Sequence, residues 1–163
     1  MEKTYNVLFI CTGNSARSII AEALMNAGSK GRFKAYSAGS HPTGAVHPMA
    51  IQELQALRVP TDGLRSKSWQ EFAQAGAPQM DFVFTVCDKA ADEIYPVWPG
   101  QPISAHWGMP DPVAVGGSKQ DRLKAFREVA IMMRRRLDLM MSLPLTSLDR
   151  LAIQNHVQEI GQP

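Results

Sequence analysis

The stretch "VLFICTGNSARSIIAEALMN" (residues 7–26) constrains the fold more than any other part of the chain. An apolar, β-rich run stops at Cys11 and a short Gly, Asn and Ser loop follows. Apolar residues then recur at helical spacing up to Gly28, so a buried strand feeds directly into a helix that begins near Ala16. "FKAYSAG" reads as a second strand, and a strand–helix–strand unit of this kind runs its two strands parallel. The alternation continues. "HPMAIQELQALRV" reads as a helix, "MDFVFTVC" as the most continuous buried strand and "QPISAHW" as a shorter one. "SKQDRLKAFREVAIMMRRRLDLMMSL" reads as a long amphipathic helix, and "TSLDRLAIQNHVQEIG" as a closing helix with Thr/Ser capping options. "SAGSHPTG", "QAGAP", "VWPGQP" and "MPDPVAVGGS" are loops between these segments, and the chain has no internal repeat. The expected architecture is α/β, one three-layer domain over residues 1–163 with a parallel sheet and helices on both faces.

Composition narrows the function classes. A chain of 163 residues with 45% hydrophobic content suits one core. Its 17 basic and 15 acidic residues lack the strong positive field of nucleic-acid binders. No apolar run approaches the roughly 20 residues that span a bilayer. "MEKTYN" carries no signal-peptide pattern, so a cytoplasmic protein without a membrane partner is expected. The two cysteines are too few for a secreted disulfide scaffold.

Ligands of open α/β sheets bind beyond the carboxyl ends of the strands. Cys11 and Cys87 both fall at such ends, so one site can hold both. The loop "CTGNSARS" can turn its N–H groups inward. With the positive end of the helix dipole and the Arg17 fork, those groups form a socket for a tetrahedral oxyanion. An isolated strand-end cysteine is most often a small buried hydrophobe, but this surrounding field favours a thiolate. Cys11 is therefore expected to be a nucleophile with a depressed pKa, and Ser18 a hydrogen-bond donor to it. Arginine in a first helical turn is unfavourable unless an anion sits there, which points the same way. Gly13 and Asn14 are the residues best suited to positive φ. The loop lacks the Lys-Ser/Thr pair of a nucleotide P-loop and the spacing of a dinucleotide fingerprint.

A leaving oxygen needs a proton, and Asp111, stiffened between Pro110 and Pro112, is the candidate acid. The competing reading is a turn aspartate that starts the long helix. His41, His47, His106 and His156 are scattered without metal-ligand spacing, so no metal is expected. The triplet Arg134-Arg135-Arg136 reads as a solvated helix face, and Met132, Met133, Met140 and Met141 as helix core. Trp98 and Trp107 flank the active edge and either line the pocket or pack loops.

"VLFICTGNSARS" followed by "DP" at residues 111–112 resembles the low-molecular-weight protein tyrosine phosphatases over nearly the whole chain. Within that superfamily "CTGNSARSIIAEAL", "YSAGSHPTGAVHPMAI", "SKSW", "FVFTVCDKAADE" and "PVWPGQPISAHWGMPDP" are closer to arsenate reductases. The resemblance implies a flavodoxin-like, four-stranded parallel sheet with catalytic roles for Cys11, Arg17 and Asp111, and Ser18 assisting the thiolate. The amides of Thr12, Gly13, Asn14, Ser15, Ala16 and Arg17 would hold the oxyanion.

Four departures shape the activity it implies. Val113 and Ala114 stand where the phosphatases usually place a tyrosine pair, and Ala16 replaces their second loop cysteine. Cys87 stands where the reductases carry a second redox thiol, and Tyr95 where the three-cysteine reductases carry the last. The implied enzyme reduces arsenate to arsenite through Cys11, with Cys87 or an external thiol completing the relay and no tightly bound cofactor. Its reductant is either glutathione or mycothiol with a glutaredoxin-type partner, or thioredoxin acting on a Cys11–Cys87 bridge. The alternatives are a phosphatase forming a Cys11 phosphoenzyme from phosphotyrosine or a small phosphoester, and an oxyanion-binding regulator in which the thiol is dispensable.

Overall fold

The structure is a computed structural model that describes residues 3–88 and 98–162. Four strands, β1 (Tyr5–Ile10), β2 (Phe33–Ala38), β3 (Phe82–Thr85) and β4 (Ile103–His106), form one sheet in the order β2-β1-β3-β4, all parallel. Consecutive residues of a strand point to opposite faces, and Val7, Leu8, Phe9 and Ile10 are all fully buried, so both faces of the sheet are covered. This is the flavodoxin-like α/β architecture expected. Ile10 is in register with Ala38 and with Thr85, and Thr85 with His106. All four strands therefore end at one level, and Cys11, Gly39, Val86 and Trp107 leave the sheet side by side.

Helices α1 (Arg17–Gly28), α2 (Pro48–Ala56) and α3 (Lys119–Met141) pack on one another, and α4 (Arg150–Ile160) packs against β4. In α3, Phe126, Val129, Ala130, Met133, Leu137 and Met140 repeat every three to four residues and form its buried stripe. Burying each such large apolar side chain contributes roughly 1.5–3 kcal/mol. Ser118 and Asp121 close a reciprocal capping box at the start of α3.

Local boundaries shift where single residues decide them. α2 stops at Ala56 rather than running to Val59, because Arg58 takes a left-handed conformation at φ 59°. The cap of α4 is Asp149, whose Oδ1 accepts from Ala152 N at 2.8 Å, and the capping options Thr146 and Ser147 lie instead in a 3-10 turn, Leu145–Ser147. β3 ends at Thr85, so Cys87 lies two residues past the strand. Trp107 belongs to the core: it is fully buried, stacks on Phe84 at 4.1 Å and donates from Nε1 to Val157 O. Trp98 packs half-buried against the core. The reading of all three arginines as a solvated face fails at Arg136, which is 7% exposed within the α3 stripe. No helix among the described residues is long and apolar enough to cross a membrane.

Candidate active site

The loop after β1 is turned inside out relative to ordinary coil. Its carbonyls point away from the pocket: Thr12 O accepts from His41 N at 2.9 Å, Gly13 O from Thr43 N at 3.0 Å and Ser15 O from His47 N at 2.9 Å. Ser66 Oγ adds a bond to Gly13 O at 3.2 Å. These backbone bonds fix the three carbonyls to residues 41–47. Asn14 makes the reversal at φ 45°. Its buried side chain donates to Ser18 Oγ at 2.8 Å and accepts from Lys67 N at 2.9 Å. The positive φ expected at Gly13 does not occur; at that position a Cβ would meet Thr43 Cγ2 at 3.3 Å. The glycine the loop needs most is Gly39, where a Cβ would lie 2.5 Å from Thr12 O and 2.9 Å from Cys11 O. Sequence reasoning placed Gly39 in a loop and gave it no role, since its neighbour is set only by the β1–β2 register.

The start of α1 has no side-chain cap. Ala16 occupies the cap position with no side-chain oxygen to offer, and the first turn holds no acidic residue. Arg17 donates from Nη1 to Met109 O at 3.0 Å and places Nη2 3.7 Å from Asp111 Oδ2. Asp111 also accepts from Val113 N at 3.0 Å, capping the 3-10 turn Pro112–Ala114. It is therefore a turn aspartate, yet not the start of the long helix, whose cap is Ser118. The pocket, about 580 Å³, is lined by Cys11, Gly13, Arg17, Asp111, Val113 and Cys87 among others. Ser18 is fully buried behind it, and with Asn14 donating to its oxygen it keeps its own proton to give.

Cys11 and Cys87, drawn from different strand ends, line one pocket as buried thiols not joined in a disulfide. Thr12 N donates to Cys87 Sγ at 3.4 Å, and Thr12 Oγ1 lies 3.6 Å from the same sulfur. The hydrogen bond that the Cys11 thiol gives to Cys87, with burial, pushes Cys11 well above its ordinary range, against the lowering effect of Arg17 and the Gly13 N–H. The expectation of a depressed Cys11 pKa is corrected accordingly. It weighed the cationic field alone, and a second thiol within bonding reach adds both a shared proton and, once ionised, a like charge.

A buried polar triad supports the loop from beneath. Lys67 Nζ donates to Arg65 O at 2.7 Å and Ser37 Oγ at 3.3 Å and stands 3.7 Å from Glu22 Oε1, to which Ser37 Oγ also donates at 2.5 Å. Burial pushes Glu22 up and Lys67 down, each partly offset by the other's charge. Sequence reasoning missed this triad because its members come from α1, β2 and a loop. His47 caps α2 through Nδ1, which accepts from Met49 N, and stacks on Phe126. His106 bridges Thr85 Oγ1 at 2.7 Å and Asp88 Oδ1 at 2.8 Å. Tyr95, singled out in the sequence, lies outside the described residues.

The family described as low molecular weight phosphotyrosine protein phosphatase matches residues 6–152. Among characterised relatives, the arsenate reductase of Shouchella clausii is 32% identical over 123 residues, covering 76% of this chain and 85% of that protein. That of Bacillus subtilis is 30% identical over the same shares. Among solved structures, an arsenate reductase in the phosphate binding state superposes with a TM-score of 0.69 at 26% identity, covering 85% of this chain and 97% of the other. A low molecular weight protein tyrosine phosphatase from T. tengcongensis shares the fold with a TM-score of 0.66 at 23% identity, over 82% and 95%.

Proposed function

The chain belongs to the low molecular weight phosphotyrosine protein phosphatase family, and from that membership and the pocket's geometry we propose that it is a thiol-dependent arsenate reductase. The observation that carries this reading is that the Cys87 thiol lines the same pocket as Cys11. A phosphatase needs one thiol there; a reductase that supplies two electrons needs two. Val113, half-exposed at the rim, offers no aromatic face to a phosphotyrosine ring, which favours the smaller oxyanion.

Arsenate binds against the loop amides, the α1 N-terminus and Arg17. The Cys11 thiolate forms an S–As bond while an oxygen leaves as water, taking its proton from Asp111. Ser18 and Arg17 hold the thiolate, and Thr12, Gly13, Asn14, Ser15 and Ala16 supply backbone. The Cys87 thiolate then attacks the Cys11 sulfur. The S–As pair of electrons passes to arsenic, so As(V) becomes As(III) and leaves as arsenite, and the two thiols become a Cys11–Cys87 disulfide. An external thiol, glutathione- or mycothiol-based or thioredoxin, returns two electrons.

The test is a single turnover. Fully reduced protein mixed with arsenate is expected to yield one equivalent of arsenite and lose both titratable thiols. Cys11→Ser yields none, and Cys87→Ser yields arsenite only when an external thiol is added. Steady aryl-phosphate hydrolysis with no arsenite formed would replace the reductase by the phosphatase.

A further inference from the structure

The arginine triplet of α3 divides by burial. Arg134 and Arg135 are exposed, whereas Arg136 falls between Met133 and Leu137 on the apolar stripe. A guanidinium set into such a stripe gives up part of its hydration, and an apolar side chain of similar size would pack there at no such cost. Among the described residues no carboxylate pairs with it. Burial alone pushes its pKa down, as befits a cation with no countercharge. What it does reach is a carbonyl: Nη1 donates to Gly108 O at 3.1 Å.

The next carbonyl along, Met109 O, is the one that accepts from Arg17 at 3.0 Å. Guanidinium groups from α1 and α3 thus hold consecutive carbonyls of the strap that leaves β4. The strap is also fixed by its amides, Trp107 N donating to Thr85 O at 2.6 Å and Met109 N to Val86 O at 3.2 Å. It passes so near the His106–Asp88 pair that a Cβ on Gly108 would lie 2.6 Å from His106 Nε2 and 2.7 Å from Asp88 Oδ1. After Met109 the chain reads Pro110-Asp111-Pro112, with φ restricted at both prolines. Little freedom therefore remains between the held carbonyls and the Asp111 carboxyl.

We propose that Arg136 is a positioning residue for Asp111: by holding Gly108 O it sets the strap that presents the Asp111 carboxyl beside Arg17. The proposal rests on the reading of Asp111 as proton donor above, and is tested by a double-mutant cycle in the single-turnover assay. Arg136→Met is expected to lower the rate constant at saturating arsenate about tenfold while arsenate half-saturation stays within about twofold, since the seat is left intact. Arg136→Lys, which keeps a long donor, is expected to recover most of that loss. In an Asp111→Asn background Arg136→Met is expected to cost nothing more. Should Arg136→Met fail to fold, Arg136→Gln, which is polar but too short to reach, takes its place in the cycle.

Equal losses with and without Asp111, a lysine variant as slow as the methionine one, or wild-type rates in Arg136→Met would overturn the proposal. If Asp111→Asn itself reacts at the wild-type rate, the reading of Asp111 falls and this proposal with it. If Asp111→Asn is slow and Arg136→Met is not, only the role of Arg136 falls.

Discussion

At the scale of single residues, the thiol pair inverts the simplest view of an activated cysteine. Arg17 and the Gly13 N–H favour the Cys11 thiolate, yet Cys87 and burial outweigh them. Both contributions from Cys87, its hydrogen bond and its charge, act in the same direction. Cys87→Ala should therefore move the pH dependence of Cys11 alkylation by iodoacetamide to lower pH, and a profile that stays put or moves up would contradict the pairing. Much of this pocket is written locally: Cys11 through Arg17 are consecutive, so that part of the lining can be read from spacing, and Asp111 stands out between its prolines. The ionisation of Cys11 is not local. It depends on a sulfur that Thr12 meets across 75 residues of chain, which no spacing reveals.

At the scale of elements, the alternation of strands and helices was legible because buried parallel strands and amphipathic helices carry different periods. What the pattern omits is which side chain fills a place where three elements meet. Lys67, Ser37 and Glu22 carry no signal in the sequence that joins them, but Lys67 and Glu22 are 7% and 14% exposed beneath the loop after β1. Arg136 was misread in the same way, although its place between Met133 and Leu137 put it on the buried stripe. Breaking a buried ion pair from one side strands the other charge. Lys67→Met is thus expected to cost about 3–5 kcal/mol in denaturant unfolding, and Lys67→Met/Glu22→Gln to recover most of it. Additive losses would mean that the two side chains act independently.

At the scale of the whole molecule, the N-terminus of α1, which no side chain caps, and Arg17 both stand at one end of the sheet. An oxyanion that binds only the folded chain must raise its stability. Inorganic phosphate at one hundred times its dissociation constant is expected to add about 2.7 kcal/mol. Arg17→Met should abolish most of that gain without a matching loss in phosphate-free buffer, and an undiminished gain would remove Arg17 from the seat. The same end of the sheet has a further property. Thr12, Gly13 and Ser15 give their carbonyls to residues 41–47, and Gly39 exchanges backbone bonds with Lys67 and Trp69. These segments follow no regular conformation, but backbone hydrogen bonds lace them to one another directly beyond the ends of β1 and β2. Mechanically, the sheet does not stop where its ladder ends: its stiffness is carried outward into the walls of the pocket, so the seat behaves as an outcrop of the core and not as a loop resting on it.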